Sequence, residues 1–246
     1  MTCGSLAASD VVFVGQSVRF LQSMPLDLKK PILYLITGGR TANTSTPESK
    51  EFQNVLELIS MAVDARIALV QLREKKLSPR HLFELTARAA AITRGTSTQL
   101  LVNDRADIAA AAAADGVHLT TTSLEARIIR EEFGKDFLIG ASTHSLSEAE
   151  AARDGGADFA VFGPVFETAS KAQYGAPSGP DVLAEVATKL APFPILALGG
   201  ISRQNAFECL RAGAAGIAGI SLFSDARNLS ETVDTILRHP EIEGRL

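Results

Sequence analysis

Residues 158–171 read DFAVFGPVFETASK, a short apolar run that passes at once into a polar loop. Asp158–Phe162 has the length and composition of a strand buried on both faces, and Gly163-Pro164 predicts a sharp end to it. Thr168 and Lys171 then stand in the loop. A buried strand that delivers a hydroxyl and an ammonium group into a loop is typical of an anion site in an α/β enzyme, and an ordinary polar turn is the alternative.

Apolar runs of the same length recur along the whole chain, and segments with helical spacing separate them. The predicted strands are Ile32–Thr37, Ile67–Arg73, Gln99–Asn103, Gly116–Leu119, Phe137–Ser142, Asp158–Gly163, Ile195–Gly199 and Gly216–Ser221. The segments with helical spacing include Glu51–Asp64, Pro79–Arg94 and Leu124–Phe133. The residues expected to cap helices are Ser78, Ser145 and Ser202.

Strict alternation of eight strand and helix pairs predicts an α/β fold of the TIM, or (β/α)8, barrel type. An open doubly wound sheet also alternates, but it would carry a glycine fingerprint after the first strand, and residues 37–40, TGGR, are too short for one. In a barrel the reactive groups lie at the carboxyl ends of the strands. The functional groups are therefore expected at those ends.

Length and composition predict one domain over residues 31–246, preceded by an N-terminal extension at 1–30 that is either an extra element or disordered. A net charge of -4, from 24 Lys and Arg against 28 Asp and Glu, argues against a nucleic acid partner. The apolar runs are shorter than the roughly 20 residues of a membrane helix. Cys3 and Cys209 are far apart, which predicts free thiols in a reducing cytoplasm.

The second predicted strand ends in a cationic stretch, Gln71-Leu72-Arg73-Glu74-Lys75. Alternation along a strand would point Gln71, Arg73 and Lys75 the same way, so an amide and two cations would converge on a phosphate or pyrophosphate. The alternative is a solvated ion pair between Arg73 and Glu74.

The third predicted strand ends in Asn103-Asp104-Arg105. A carboxylate beside a phosphate cluster is a natural Mg2+ ligand, because Mg2+ prefers one or two carboxylates together with substrate oxygens. Asp104 could equally cap the helix that follows.

Two histidines stand near strand ends. His144 follows the fifth predicted strand, where a group that titrates near neutrality could act as an acid or base. His118 is expected to be a hydrogen-bonded residue of the barrel, and the hydroxyl run Thr120–Ser123 after it could cap the next helix.

The last two predicted strands end in Gly199-Gly200 and in Ile220-Ser221. Exposed backbone amides attract anions, and barrels often bind a phosphate in the loops after strands seven and eight. A simple tight turn at the glycine pair is the alternative. The residues taken alone thus predict two anion sites, one cationic and one made of backbone amides.

Seven motifs, in the order QLREK, NDR, ADGVHL, GASTHS, GPVFETASK, ALGGI and GISLF, resemble those of the thiamine phosphate synthase and thiazole tautomerase superfamily over about residues 31–224. The synthases join a hydroxymethylpyrimidine diphosphate to a thiazole phosphate with Mg2+, and release pyrophosphate. The resemblance implies that the diphosphate is bound by Gln71, Arg73, Lys75, Asn103, Ser142 and Lys171. It implies further that Asp104 binds Mg2+, that Thr168 belongs to the substrate loop, and that the thiazole phosphate cradle is Gly199, Gly200, Ile220 and Ser221.

One position departs from the synthase pattern. Ser123 stands where a second metal carboxylate is expected, so the resemblance implies Mg2+ held by Asp104, with Ser123 as a much weaker ligand. The tautomerases also lack this carboxylate and share VFET, together with a histidine matching His144 that is implicated in their proton transfer. They tend to lose the aspartate that Asp104 supplies.

The function expected from the resemblance is a synthase-type transfer in thiamine biosynthesis, in which Lys171, Arg73 and Lys75 stabilise the departing pyrophosphate. The alternatives are a thiazole tautomerase that uses His144, or a catalytically silent regulator that binds thiamine phosphate. The expected partners are the small phosphorylated pyrimidine and thiazole, and a homodimer is possible because related proteins associate. Residues 172–180 could form a lid.

Overall fold

The computed structural model describes residues 26, 28–168 and 176–238, in which strands and helices alternate. The elements are β1 (Ile32–Ile36), α1 (Lys50–Asp64), β2 (Leu69–Leu72), α2 (Pro79–Thr93), β3 (Gln99–Asn103), α3 (Ala106–Ala111), β4 (Gly116–Leu119), α4 (Ala126–Phe133), β5 (Leu138–Thr143), α5 (Leu146–Asp154), β6 (Phe159–Phe162), α6 (Gly179–Leu190), β7 (Ile195–Ala197), α7 (Ala206–Arg211), β8 (Gly216–Gly219) and α8 (Leu229–Leu237). Two short 3-10 turns, Ser221–Phe223 and Ala226–Asn228, separate β8 from α8.

The eight strands pair in parallel and in sequence order, and the sheet closes on itself. Closure is carried by β1, in which Tyr34 is the register partner of Leu69 on β2 and of Ala218 on β8. The predicted barrel is therefore confirmed, and the open doubly wound sheet is wrong.

The barrel encloses one apolar cluster, and a second lies between the strands and the helices. Inward-facing residues include Tyr34, Leu69 and Phe159, all fully buried. Room for the aromatic rings comes from Gly140, where a β-carbon would lie 2.7 Å from Nδ1 of His118 and 2.8 Å from Cε2 of Phe159. The outer cluster is the larger of the two, because each helix adds an apolar face to it.

Helix α1 shows how the sequence builds that outer layer. Its buried residues are Phe52, Val55, Ile59 and Ala62, spaced by three or four positions on one helical face. Burial of a phenylalanine or isoleucine side chain contributes about 1.5–3 kcal/mol. The helix is therefore held to the barrel by one stripe of side chains.

The predicted helix starts are correct in two of three cases. The hydroxyls of Ser78 and Ser145 accept hydrogen bonds from the backbone N–H groups of His81 and Glu148 and cap α2 and α5. The prediction for Ser202 is wrong, since Asn205 occupies the N-cap of α7 and its side chain accepts a hydrogen bond from the Ser202 N–H instead. Two further turn residues thus precede the helix.

Arg130 on α4 joins the start of β5 to the start of β6. Its guanidinium donates to the carbonyls of Gly134, Phe137 and Gly156, and to Asp158 Oδ2 at 2.8 Å. The same Oδ2 accepts the Ile139 N–H at 2.7 Å. Burial raises the pKa of Asp158, and these two donors offset part of that rise. The arrangement ties three elements together at the amino ends of the strands.

Replacement of Arg130 should therefore lower the stability of the fold. Arg130→Met keeps the apolar stem and removes every donor, so we expect the free energy of unfolding to fall by about 2–3 kcal/mol in urea titrations. Arg127→Met on the same helix removes an exposed ion pair with Glu131 and should cost less than about 0.5 kcal/mol. Equal losses of unfolding free energy in the two variants would contradict the stabilising role of the Arg130 hydrogen bonds.

Several predictions lie outside the described residues or are untested. Cys209 is a buried free cysteine, as expected, whereas Cys3 and nearly all of the 1–30 extension are not described. No helix in the described part of the chain combines the length and apolarity that a membrane crossing requires. The homodimer, the cytoplasmic location and the domain limits stay predictions.

Candidate active site

Inward-facing polar residues line the carboxyl ends of β2 to β5. The Gln71 amide donates to Asn103 Oδ1 at 3.0 Å, and His118 Nε2 is 2.9 Å from the Ser142 hydroxyl. Asn103 and His118 are register partners across β3 and β4, so the two hydrogen-bonded pairs are neighbours. Gln71, Asn103 and Ser142 are thus brought to one rim, and His118 is confirmed as a barrel residue.

The cations after β2 are placed by the loop rather than by strand alternation, because β2 ends at Leu72. The Arg73 N–H donates to the Thr37 hydroxyl at 2.9 Å, and a β-carbon at Gly39 would lie 3.8 Å from Arg73 Nη1. Arg73 is half-buried against the β1–α1 loop, and Lys75 is exposed. Strand alternation therefore does not determine the side-chain directions beyond Leu72, although Arg73 lies on the expected rim.

Glu74 is the functional candidate that sequence reasoning missed. It is only 2% exposed, and its carboxylate accepts hydrogen bonds from the Thr37 hydroxyl at 2.7 Å, the Gly39 N–H at 3.2 Å, and the N–H and hydroxyl of Thr41 at 3.1 and 2.6 Å. A solvated ion pair with Arg73 is therefore wrong. Nothing in the local sequence identifies donors that lie in the loop after β1, more than 30 residues earlier.

Asp104 follows β3 with an exposed side chain and a positive φ of 63°. Its predicted role as an N-cap is wrong, because Arg105 occupies that position of α3 and no side-chain cap forms. The carboxylate thus stays at the rim. Among the residues that the structure describes, no group of three or more His, Cys, Asp or Glu side chains could hold a metal.

Ser123 has a local structural role. Its hydroxyl accepts the Thr120 N–H at 2.8 Å and lies 3.0 Å from the Thr120 hydroxyl, which closes the turn after β4. Helix α4 begins later and has Glu125 at its N-cap, so capping of that helix by the hydroxyl run is wrong.

His144 follows β5 directly and is held at both ends. Its backbone N–H donates to Glu148 Oε2 at 2.7 Å, and the Nδ1 atom of its ring contacts the Gly163 carbonyl. A carbonyl can only accept, so the Nδ1 atom carries the hydrogen, and in a neutral ring the Nε2 atom carries the lone pair. The ring is thereby oriented for proton transfer at Nε2.

The amide-rich end of the site is a cleft between the loops after β6, β7 and β8. Its lining includes Thr168, Gly199, Gly200, Ile220 and Ser221, the residues predicted to form a cradle. No charged side chain lines it among the described residues. An anion here would meet backbone dipoles and hydroxyl groups.

The glycine pair is both a tight turn and a wall of this cleft. Gly199 and Gly200 have φ values of 100° and 64°, and a β-carbon on Gly200 would lie 2.7 Å from the carbonyl carbon of Phe166. A side chain at Gly200 must therefore push the β6 and β7 loops apart.

This close approach yields a test. Gly200→Ala should abolish the thermal stabilisation given by millimolar inorganic phosphate, because the loops that line the cleft separate. Gly134→Ala also places a side chain at a positive φ, 78°, but nothing lies within 4 Å of the added carbon, so it should lower stability and keep the phosphate response. Loss of the response in both variants would contradict the cleft as the binding site.

Lys171 lies outside the described residues, as do residues 169–175 as a whole. Its place beside Arg73, and the lid at 172–180, stay predictions. The described loop resumes at 176, and the Ser178 hydroxyl donates to the Pro164 carbonyl at 3.1 Å.

A family model described as thiamine monophosphate synthase matches residues 33–223, from β1 to the turn after β8. The chain belongs to this family. The thiamine-phosphate synthase of Chlorobium luteolum is 40% identical over 207 residues, which cover 84% of this chain and 92% of that protein. The synthase of Chlorobium phaeobacteroides is 38% identical over 195 residues, 79% and 89% of the two chains.

The solved structure of the thiamine phosphate pyrophosphorylase from Pyrococcus furiosus is similar, with a TM-score of 0.72 and 28% identity. The match covers 89% of this chain and all of that one. This chain therefore shares its barrel fold with that pyrophosphorylase.

Proposed function

We propose that this chain is a thiamine-phosphate synthase that couples hydroxymethylpyrimidine diphosphate to thiazole phosphate. The observation that supports the proposal is that two surfaces with different donor groups, each suited to an anion, lie at the carboxyl ends of the strands. One is the Arg73 loop beside Gln71 and Asn103, and the other is the uncharged cleft at Gly199 and Gly200. Two phosphorylated substrates need two such surfaces.

In this reaction the thiazole nitrogen forms a bond to the pyrimidine methylene carbon. The bond from that carbon to the diphosphate oxygen breaks, and the electron pair leaves with pyrophosphate. Arg73, Lys75 and Lys171 would stabilise the charge on the leaving group, while the cleft positions the thiazole phosphate. Little acid or base chemistry is required, so positioning and charge neutralisation supply the rate.

The donor set fits Mg2+ held by a single protein carboxylate. Asp104 is exposed at the rim next to Asn103, and Mg2+ commonly combines one carboxylate with substrate phosphate oxygens and water. Ser123 does not fit, because its hydroxyl is hydrogen-bonded within the Thr120 turn. Mg2+ bound here would neutralise diphosphate charge.

The decisive experiment incubates the purified protein with both substrates and measures thiamine phosphate and pyrophosphate. We expect both products in equal amounts with Mg2+ and none after chelation. Absence of thiamine phosphate under both conditions would reject the proposal, whereas turnover would reject the silent regulator.

Lys171→Ala should slow coupling at least about a hundredfold, equivalent to roughly 2.7 kcal/mol in the barrier, because the leaving group loses a cation. The control is Lys189→Ala, which removes an exposed lysine paired with Glu185 on α6 and should leave the rate unchanged. An unchanged rate in Lys171→Ala would remove this lysine from the mechanism.

A tautomerase activity is the second candidate, and the anchored ring of His144 is the observation that favours it. His144→Asn keeps a donor for the Gly163 carbonyl but has no titrating nitrogen, so thiazole isomerisation should fall at least about a hundredfold. Isomerisation by the wild-type protein should persist in chelator. No isomerisation by the wild type, or an unaffected variant, would exclude this role.

A further inference from the structure

Glu74 is a buried carboxylate whose hydrogen bonds all reach the loop between β1 and α1. Its four recorded donors are neutral groups of Thr37, Gly39 and Thr41, and Thr37 and Thr41 are themselves at most 2% exposed. Burying a charge is costly unless such bonds satisfy it, and bonds to an ionised acceptor are stronger than neutral ones. The carboxylate thus fixes residues 37–41 against the end of β2.

The fixed loop is hydrogen-bonded to the Arg73 backbone and passes close to the Arg73 side chain. The Thr37 hydroxyl donates to Glu74 Oε1 and accepts the Arg73 N–H, so it links the carboxylate to the arginine backbone. The Gly39 N–H donates to Glu74, and a β-carbon added at Gly39 would lie 3.3 Å from the Arg73 carbonyl oxygen and 3.8 Å from Nη1, so the loop passes close to the arginine. Glu74 therefore restrains the backbone of Arg73 through Thr37, and the loop wall beside its guanidinium through Gly39.

The negative charge of Glu74 is unfavourable for anion binding nearby. A negative group next to an anion site repels a diphosphate by simple electrostatics. Any favourable effect of Glu74 on diphosphate binding must therefore come from geometry, and the two effects have opposite signs.

We propose that Glu74 is a positioning residue that holds the Arg73 guanidinium in place for the diphosphate. This inference rests on the proposed function, in which Arg73 binds the diphosphate of the pyrimidine substrate. Glu74 itself does not touch the substrate.

Glu74→Gln tests the proposal with little change in shape. One terminal atom of glutamine is a donor, so either the Gly39 or the Thr41 N–H loses its acceptor and the loop loosens. The probe is inorganic pyrophosphate with Mg2+, measured by titration calorimetry. We expect at least about tenfold weaker binding, with a matching rise in KM for the diphosphate substrate and an unchanged KM for the thiazole phosphate. Unchanged or tighter pyrophosphate binding would overturn the proposal.

Two further variants separate positioning from general destabilisation. Thr41→Val removes only the 2.6 Å hydroxyl bond and should weaken pyrophosphate binding to a lesser degree in a folded protein. Asp115→Asn makes the same carboxylate-to-amide change at the opposite rim, where Asp115 accepts the Leu100 N–H at 2.7 Å. It should leave pyrophosphate affinity unchanged, and a loss equal to that of Glu74→Gln would overturn the proposal.

A double-mutant cycle with Arg73→Ala distinguishes this inference from the proposed function. If Glu74 acts through Arg73, Glu74→Gln should cause no further loss of affinity once Arg73 is alanine, and loss of the negative charge should leave the affinity equal or slightly higher. An additive loss would overturn the inference. If Arg73→Ala leaves pyrophosphate affinity unchanged, the diphosphate assignment in the proposed function fails. If Arg73→Ala weakens pyrophosphate binding and Glu74→Gln does not, only the inference about Glu74 fails.

Discussion

Backbone pairing between β1 and β8 closes the sheet, and the position of every candidate functional group depends on that closure. Eight parallel strands in a ring point all their carboxyl ends to one rim. The strands have only three to six residues, so the loops that follow them begin close to the same level. The Arg73 loop and the glycine cleft lie at the same rim for this reason, although more than a hundred residues separate them in sequence.

The hydrogen bonds at the two ends of the barrel differ in kind. At the amino ends of the strands, Arg130 and Asp158 join β5 to β6, and Asp115 accepts a backbone N–H of β3. Their partners are mainly backbone groups, as expected of residues that stabilise the fold. At the carboxyl ends, hydrogen bonds such as the one between Gln71 and Asn103 join side chains to each other and leave them at the mouth of the barrel.

The fold could be predicted because its signal is local. Each strand is a short apolar run with turn residues after it, and each predicted run overlaps one observed strand, although β5 ends at Thr143, one residue beyond its predicted end. The position of Gly199 and Gly200 in the cleft followed from the same reasoning, since a glycine pair after a buried strand frees backbone amides.

The arrangement around Glu74 could not be predicted in this way. Its partners lie 33 to 37 residues earlier, in the loop after β1, and a glutamate between two basic residues more readily suggests an exposed ion pair. The contact between His144 and the Gly163 carbonyl is equally non-local. The predicted helix starts were wrong where extra turn residues precede the helix, as at Ser202 and after Ser123. The length of a turn depends on packing against residues that are distant in sequence.

The cleft beside β7 and β8 has one further consequence. Apart from the Thr168 and Ser221 hydroxyls, the polar atoms of its lining belong to the main chain, which is chemically the same in every residue. Recognition there is encoded in torsion angles instead of side-chain identity. Redesign of this pocket for a different ligand would have to reshape the path of the polypeptide, whereas the cationic end could be retuned by exchanging single residues.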